Sequence, residues 1–541
     1  MAIDYSQKRV LIVDDHPGMR SSMRAILSAS GVVYSEMAGT ANDAIRRLQH
    51  KSYDIIICDY FLGDGSDGQQ LLEQLRHNKL IRLQTIFVMV TAERAYERVV
   101  SAVELAPDDY LIKPFTAEIL RTRLERVMQK KEAFAPIHDL IDKGRIADAI
   151  AVCSQAVAQQ GKYSIDLLRL LAELFVTQGQ FDEAERIYQK VMEMRAIPWA
   201  RMGLAKMLHF QGKEEEAEEL LEVVVDEAPE YMAAYDLLAK VYESNDKGEM
   251  AQATLSRAVA ASPYTMHRQK QMGEVAMRNN DLEAAEEAFT RVVERGKTSY
   301  FREPDDYSNL SRVQLERGKL GDALGTMRDM RKSFSDSPEV EFNAAVMESL
   351  IHKKSGDDAA SEKALQSALS LHAQGKVKAS ENAALDLASA CLQHGRDEDA
   401  KQIVEKLVSS NHESASLIEK AKQVYAKAGR AAEGAALVEG SVKSIIQLNN
   451  EGVRKAQQGD LEGSVRLLTE AAERLPDNTQ IVLNAAQALL VYINQRGFHE
   501  TFMETAQHYL SLVRAKDPNH PKLLAVNKLA QEIARKYGIA A

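Results

Sequence analysis

Val10-Leu11-Ile12-Val13-Asp14-Asp15 is a short apolar run that stops on two carboxylates, and the same grammar returns three times downstream. Ile55-Ile56-Ile57-Cys58 stops on Asp59, Phe87-Val88-Met89-Val90 on Thr91, and Tyr110-Leu111-Ile112 on Lys113-Pro114. Short runs rich in Val and Ile, without polar alternation, suit central parallel strands buried on both faces, and each is followed by a helical-looking segment. Strands are expected at about 9–13, 32–37, 54–58, 84–90 and 109–112, with a fifth helix from Thr116. This alternation predicts a flavodoxin-like (βα)5 sheet. Such sheets place ligands just outside the carboxyl ends of their strands, so the polar stops should converge on one spot.

The chemistry of that spot follows from charge. An acid pair, a lone carboxylate, a hydroxyl and a lysine in one crevice make a site for a hard cation and a phosphoryl group. A carboxylate attacks a phosphorylated donor poorly because like charges repel, so a divalent cation must neutralise both parties. Oxygen-rich surroundings with few carboxylates suit Mg²⁺.

These residues, at these strand ends, resemble the receiver domain of two-component response regulators. The resemblance implies that Asp59 is the phosphoacceptor, that Asp15 and Asp59 bind Mg²⁺ directly, and that Asp14 does so through water. The main-chain carbonyl of Phe61 would be the remaining protein ligand. Thr91 would bond a phosphoryl oxygen, and Lys113 would supply a fixed positive charge, with Pro114 following a cis peptide bond. Thr91 and Tyr110 would form the switch pair, and the surface they move would be the fourth helix, fifth strand and fifth helix, roughly 93–128. His16, beside the acid pair, is expected to be a capping or surface residue. Two features depart from the family pattern. The segment after Asp59, Tyr60-Phe61-Leu62-Gly63-Asp64-Gly65-Ser66-Asp67-Gly68, is one residue longer and lacks the usual Met-Pro pair. Phe61 and Glu93 occupy the two variable positions that influence acyl phosphate hydrolysis, and a bulky Phe61 implies a long-lived phosphorylated state.

Past about Ala133 a different phrase recurs: Gly144-Arg-Ile-Ala-Asp-Ala149, Gly179-Gln-Phe-Asp-Glu-Ala184, Gly212-Lys-Glu-Glu-Glu-Ala217, then Asn280 to Ala285, Gly318 to Ala323, Gly395 to Ala400 and Gly459 to Ser464. Several intervals lie near 34 residues, a period that resembles tetratricopeptide repeats. In one segment the family's positions hold Tyr235, Leu238, Ala239, Tyr242, Ala251, Leu255, Ala258 and Pro263, and the preceding segment matches through Leu204, Ala205, Leu208, Ala217, Leu221, Val224 and Pro229. The chain is therefore divided at 1–132, a receiver domain, and 133–541, an all-α tetratricopeptide superhelix (solenoid) of about ten repeats plus a capping helix near 523–536. The repeats around 340–371 and 415–443 are weak and read as hinges. No Gly/Ser linker joins the parts, and Pro136 is expected to interrupt the fifth helix before the first repeat.

Composition narrows the function. The 541 residues are 45% hydrophobic and 27% charged, ordinary for a globular chain too long for one core. A formal net charge of −11 argues against general affinity for nucleic acid or an anionic membrane, both of which need a basic face. Cys58, Cys153 and Cys391 match no metal-ligand spacing and read as reduced, buried thiols. The amino-terminal residues carry no basic region leading into an apolar stretch, so a cytoplasmic location is expected.

The resemblances imply a bacterial response regulator in which phosphorylation of Asp59 switches protein interactions made by the array. The expected partners are a histidine kinase or phosphotransfer protein and a protein or peptide target in the groove, with a homodimer left open. Apart from self-phosphorylation and autodephosphorylation no enzymatic activity is assigned. The places where related arrays hold a C-terminal carboxylate carry Arg169, Glu173, Met202 and Lys206, so capture of such a group is not expected. Trp199 falls near a groove-facing position and reads either as a packing residue or as an anchor. Two other readings remain open, a regulator of transcription or RNA acting through the array, and a constitutive scaffold with a weakly active receiver.

Overall fold

The structure, a computed structural model, describes residues 5–63, 67–92, 107–195, 197–334, 337–516 and 520–538. The expected fourth helix and Glu93 lie outside the described residues. By compactness the chain forms two units, Met1–Asp306 and Tyr307–Ala541.

The first unit begins with a five-stranded parallel sheet, β1 (Arg9–Val13), β2 (Tyr34–Ala38), β3 (Ile55–Asp59), β4 (Ile86–Thr91) and β5 (Asp109–Ile112), in the order β2-β1-β3-β4-β5. The reversal of chain direction through the sheet falls between β1 and β3, the doubly wound arrangement with its switch point there. Alternate side chains feed two cores. Leu11, Val13, Ile56, Cys58, Phe87 and Met89 pack with α2 (Ala41–His50) and α3 (Gly68–His77) on one face. Val10, Ile12, Ile55, Ile57, Val88 and Val90 pack with α1 (Pro17–Ala29) and the helix Ala117–Asp142 on the other. A strand flanked by helices on both sides has no solvent face, which is why β4 is buried at all six positions.

Helix Ala117–Asp142 corrects one expectation. Thr116 caps it, accepting a hydrogen bond from the Ile119 N–H at 3.3 Å, and it then runs unbroken through Pro136. Its first half buries Leu120, Leu124, Val127 and Met128 against the sheet, and its second half buries Phe134 and Ile137 against the first helical hairpin. Proline removes one helical donor, and burial of apolar groups on both sides of Pro136 outweighs that loss. The helix crosses the expected 132/133 boundary.

Helical hairpins follow, and one local device builds most of them. At Gly179 the chain adopts φ of 66°, and the next N–H, that of Gln180, reaches back to the Phe175 carbonyl at 2.8 Å. This left-handed closure satisfies a carbonyl at the end of the first helix. Asp246 and Asn280 take the same conformation, at φ of 58° and 60°, where glycine is absent. Just inside the second helix of several hairpins sits a small residue with no exposed surface, as with Ala149, Ala184, Ala217, Ala251 and Ala285. Small side chains at the crossing let the paired helices approach. Tyr235, Leu238, Ala239, Tyr242, Ala251, Leu255 and Ala258 all enter one buried cluster with Ala205, Leu208, Ala217, Leu221 and Val224.

In the second unit the hairpins continue from Leu320–Ser333 to Glu500–Lys516, followed by Pro521–Tyr537, the expected final helix. The segment read as a weak repeat is a well-formed pair, Pro338–Ser355 and Asp358–Ala373. Its first helix buries Val340 and Phe342 to Met347 continuously, with Ser349, Leu350 and Ile351. A helix covered on nearly all sides has no amphipathic period, and this is what hid it. The other weak segment contains a fusion. Helix Ala431–Gln457 pairs with Ala415–Lys427 at its start and with Leu461–Arg474 at its end. No described helix is long and apolar enough to cross a membrane.

Candidate functional site: the carboxyl edge of the sheet

Strand register assembles the site. Val13 lies opposite Cys58, so Asp14 emerges beside Asp59. Asp59 lies opposite Val90, so Thr91 follows, and Thr91 lies opposite Ile112, so Lys113 follows. The Lys113 N–H donates to the Thr91 carbonyl at 2.7 Å, and the Lys113–Pro114 peptide is cis. Lys113 Nζ then donates to Asp14 Oδ2 and Asp59 Oδ2, each at 3.0 Å. One ammonium therefore spans two carboxylates drawn from strands that are distant in sequence.

All of this sits under cover. Asp14 is buried, the Asp59 side chain is 12% exposed, and Thr91 is fully buried. Burial pushes the Asp59 carboxyl above its ordinary pKa, a push opposed by Lys113 and by the Tyr60 N–H and reinforced by the charge of Asp14. Burial also works against the Lys113 ammonium, yet its bonds to Asp59 and Asp14 outweigh that and hold its pKa above the ordinary value.

Asp15 points outward. Its Oδ1 meets His16 Nδ1 at 2.7 Å, and this bond with the Asp15 charge raises the imidazole pKa. The exposed His16 supplies no side-chain cap to α1, although it occupies the N-cap position. One donor atom each from Asp14, Asp15 and His16 lies within 4.8 Å of the other two. The carboxylates of Asp14 and Asp15 are hard oxygen donors of the kind Mg²⁺ takes, and on that chemistry this acidic pocket fits the ion. Phe61 is 46% exposed and forms an isolated antiparallel bridge with Asp67, closing the base of the loop after Asp59. Residues 64–66 of that loop lie outside the described residues. Tyr110 is half-buried and packs against the core shared by β3, β4 and α3.

Three further residues shape the site and were not singled out in the sequence. Arg20, on α1, donates to the main-chain carbonyls of Asp14 and Asp15 at 2.6 and 3.0 Å, fixing the turn that carries both acids. A β-carbon at Gly63 would come within 2.6 Å of Asp15 Oδ2, and one at Gly68 within 2.5 Å of the Asp59 carbonyl. Glycine is required there because the loop folds back onto the acids. Their only sequence signal was a loop dense in glycine, which does not distinguish close approach from an ordinary turn. The thiol of Cys58, behind Asp59, is driven up by complete burial and takes no part in ionic chemistry.

In the array, Trp199 is half-buried, edge-on to Tyr188 with centroids 6.2 Å apart, and capped by the Arg169 guanidinium at 5.9 Å. Arg169 also pairs with Glu173 at 3.0 Å, and Lys206 Nζ lies 5.6 Å from the Phe210 ring. Met202 packs against the neighbouring cluster. This set is occupied by its own internal contacts.

Comparison with known proteins agrees with both halves. Residues 10–125 match the response regulator receiver domain family, and residues 140–196 and 169–231 match tetratricopeptide repeats. The chemotaxis protein CheY of Pseudomonas aeruginosa is 27% identical over 122 residues, 23% of this chain and 97% of that protein. CheY-3 of Vibrio cholerae is 27% identical over 129 residues, 24% of this chain and 98% of the relative. Among solved structures, a Francisella response regulator receiver domain is 23% identical, covering 23% of this chain and 98% of that one with a TM-score of 0.21. A tetratricopeptide repeat protein from Parabacteroides merdae is 15% identical, covering 48% and 96%, with a TM-score of 0.31.

Proposed function

We propose, from a receiver domain at residues 10–125 followed by tetratricopeptide repeats, that this chain is a response regulator whose output is a phosphorylation-gated protein interaction. In this reading residues 1–132 receive the phosphoryl group and residues 133–541 carry the binding surface. The observation that supports it best is the Lys113 ammonium held between Asp14 and Asp59 at 3.0 Å from each.

An Asp59 carboxylate oxygen attacks the phosphorus of an acyl or histidyl phosphate, the new P–O bond forms, and the bond to the donor breaks with the donor leaving. Mg²⁺, held by Asp15, Asp59, the Phe61 carbonyl and, through water, Asp14, would supply charge neutralisation. Lys113 is already charged and desolvated, so it stabilises added negative charge without reorganising. Transfer of its hydrogen bond from Asp59 to the phosphoryl group leaves the Asp14 bond in place. Thr91, at the end of β4, offers a hydroxyl to the same group, and the half-buried Tyr110 is the side chain that answers its movement. The histidine kinase or phosphotransfer protein is the donor partner, and a protein or peptide is the array's target.

The test is labelling of the full chain with radiolabelled acetyl phosphate, with and without Mg²⁺. Wild type is expected to incorporate label only with the cation, and Asp59→Asn to incorporate none. Equal labelling of Asp59→Asn would refute the assignment of the acceptor. Partner capture with and without beryllofluoride then examines the gate, and a partner set that ignores it would leave the array a constitutive scaffold.

A further inference from the structure

α3 is held by more than its own sheet. Asp67 accepts a hydrogen bond from the Gln70 N–H at 2.8 Å, while Gln70 Oε1 accepts one from the Asp67 N–H at 3.2 Å, a reciprocal capping box at the start of α3. The other carboxylate oxygen of this buried aspartate receives a hydrogen bond from Arg295, 228 positions along the chain in helix Leu282–Gly296. Arg295 is itself braced over the Tyr264 ring at 5.2 Å. At the other end of α3, His77 meets Phe301 edge-on at 5.0 Å and Tyr300 at 6.3 Å. Between these anchors, Gln70, Leu71 and Gln74 face residues 297–302 across a cleft of about 480 Å³.

Asp67 is also the residue bridged to Phe61, two positions after Asp59. A short path of backbone therefore links the acceptor to the residue that the repeats grip. The grip is not fully satisfied, because Gln70 Nε2 is buried without a hydrogen-bond partner among the described residues. A buried donor left unmatched is a standing penalty that opening the cleft to water would remove.

We propose that Arg295 and the 297–302 loop form a latch on α3 that favours the unphosphorylated receiver, so that phosphorylation of Asp59 releases the latch and opening the latch eases phosphorylation. The inference rests on the proposed phosphorylation of Asp59 and adds the place where the repeats sense it. Linkage requires the two effects to be equal in free energy at equilibrium.

The experiment is hydrogen–deuterium exchange of the full chain with Mg²⁺, with and without beryllofluoride, alongside acetyl phosphate labelling of wild type, Arg295→Gln and Asp67→Asn. Asn at position 67 keeps a capping acceptor for Gln70 and removes the charge that faces Arg295. Faster exchange across 295–303 on adding beryllofluoride is expected, with labelling of both variants at least about fivefold faster than wild type. If wild type is labelled yet its exchange at 295–303 is unchanged, or the variants label more slowly, the latch is wrong and the phosphorylation stands. If wild type takes no label, both fall together.

Discussion

The receiver sheet and the helical array solve opposite problems with the same currency of buried apolar surface. In the sheet, Lys113 reaches Asp14 across 99 positions of sequence, and the pair exists only because four strands keep register. In the array, the bidentate contact of Arg268 with Asp236 spans 32 positions, about one repeat, and each hairpin leans chiefly on its neighbours. Long-range register concentrates chemistry at one edge and makes it fragile. Short-range repetition spreads stability along the chain and leaves each defect local.

That contrast can be broken at its chemical end first. Lys113→Ala should slow acetyl phosphate labelling about a hundredfold, the usual scale for loss of one preorganised donor, while leaving the helical circular dichroism of the array unchanged. A loss of helix signal along with labelling would mean that the two regions are less separable than their contacts imply.

In the array the largest effect is expected at Arg268, which is 1% exposed. Arg268→Ala strands the partly buried Asp236 and should cost about 3–5 kcal/mol in urea unfolding, with labelling of Asp59 unaffected. Gly68→Ala is the receiver's counterpart. Its new methyl meets the Asp59 carbonyl at 2.5 Å and Met89 Sδ at 2.8 Å, for a cost of about 1–3 kcal/mol and slower labelling in the same variant. Stability loss with full labelling would show that the loop relaxes away from the acids.

The smallest effect is electrostatic. Burial, and then the charge of Lys406, lowers the pKa of His372, which stacks on Phe342 at 6.0 Å. A depressed folded-state pKa means that the unfolded chain takes up the proton first, so this contribution is complete above the unfolded value of about 6.5 and is lost as the pH falls below it. The array should lose stability on that account as the pH falls below that value, and His372→Gln should flatten the acid side of a plot of melting temperature against pH.

Much of the sheet was legible because four of its five strands run into a polar residue, and the expected limits of β1 and β5 coincide with the observed ones. The convergence of Asp14, Asp59, Thr91 and Lys113 was legible for the same reason. What escaped were residues whose role is set by three-dimensional approach. Arg20 is an ordinary helical arginine until it is seen under the acid turn, and Gly68 is one loop glycine among several. Helix Pro338–Ser355 read as weak because burial on nearly every side erased the period that reveals its neighbours, and Pro136 read as a break because local propensity took no account of the two cores gripping its helix. The grip of Arg295 on Asp67 had no sequence signature, since an ion pair between distant segments leaves no local pattern.

Helix Ala431–Gln457, 27 residues long, closes one hairpin and opens the next. Repeat arrays ordinarily grow and shrink by whole units, since a duplicated or deleted hairpin leaves intact edges on both sides. A helix that belongs to two hairpins removes that freedom: no cut between residues 415 and 474 leaves a complete unit on each side. Recombination within the gene can lengthen or shorten the array on either flank of this stretch, but the stretch itself must be inherited whole.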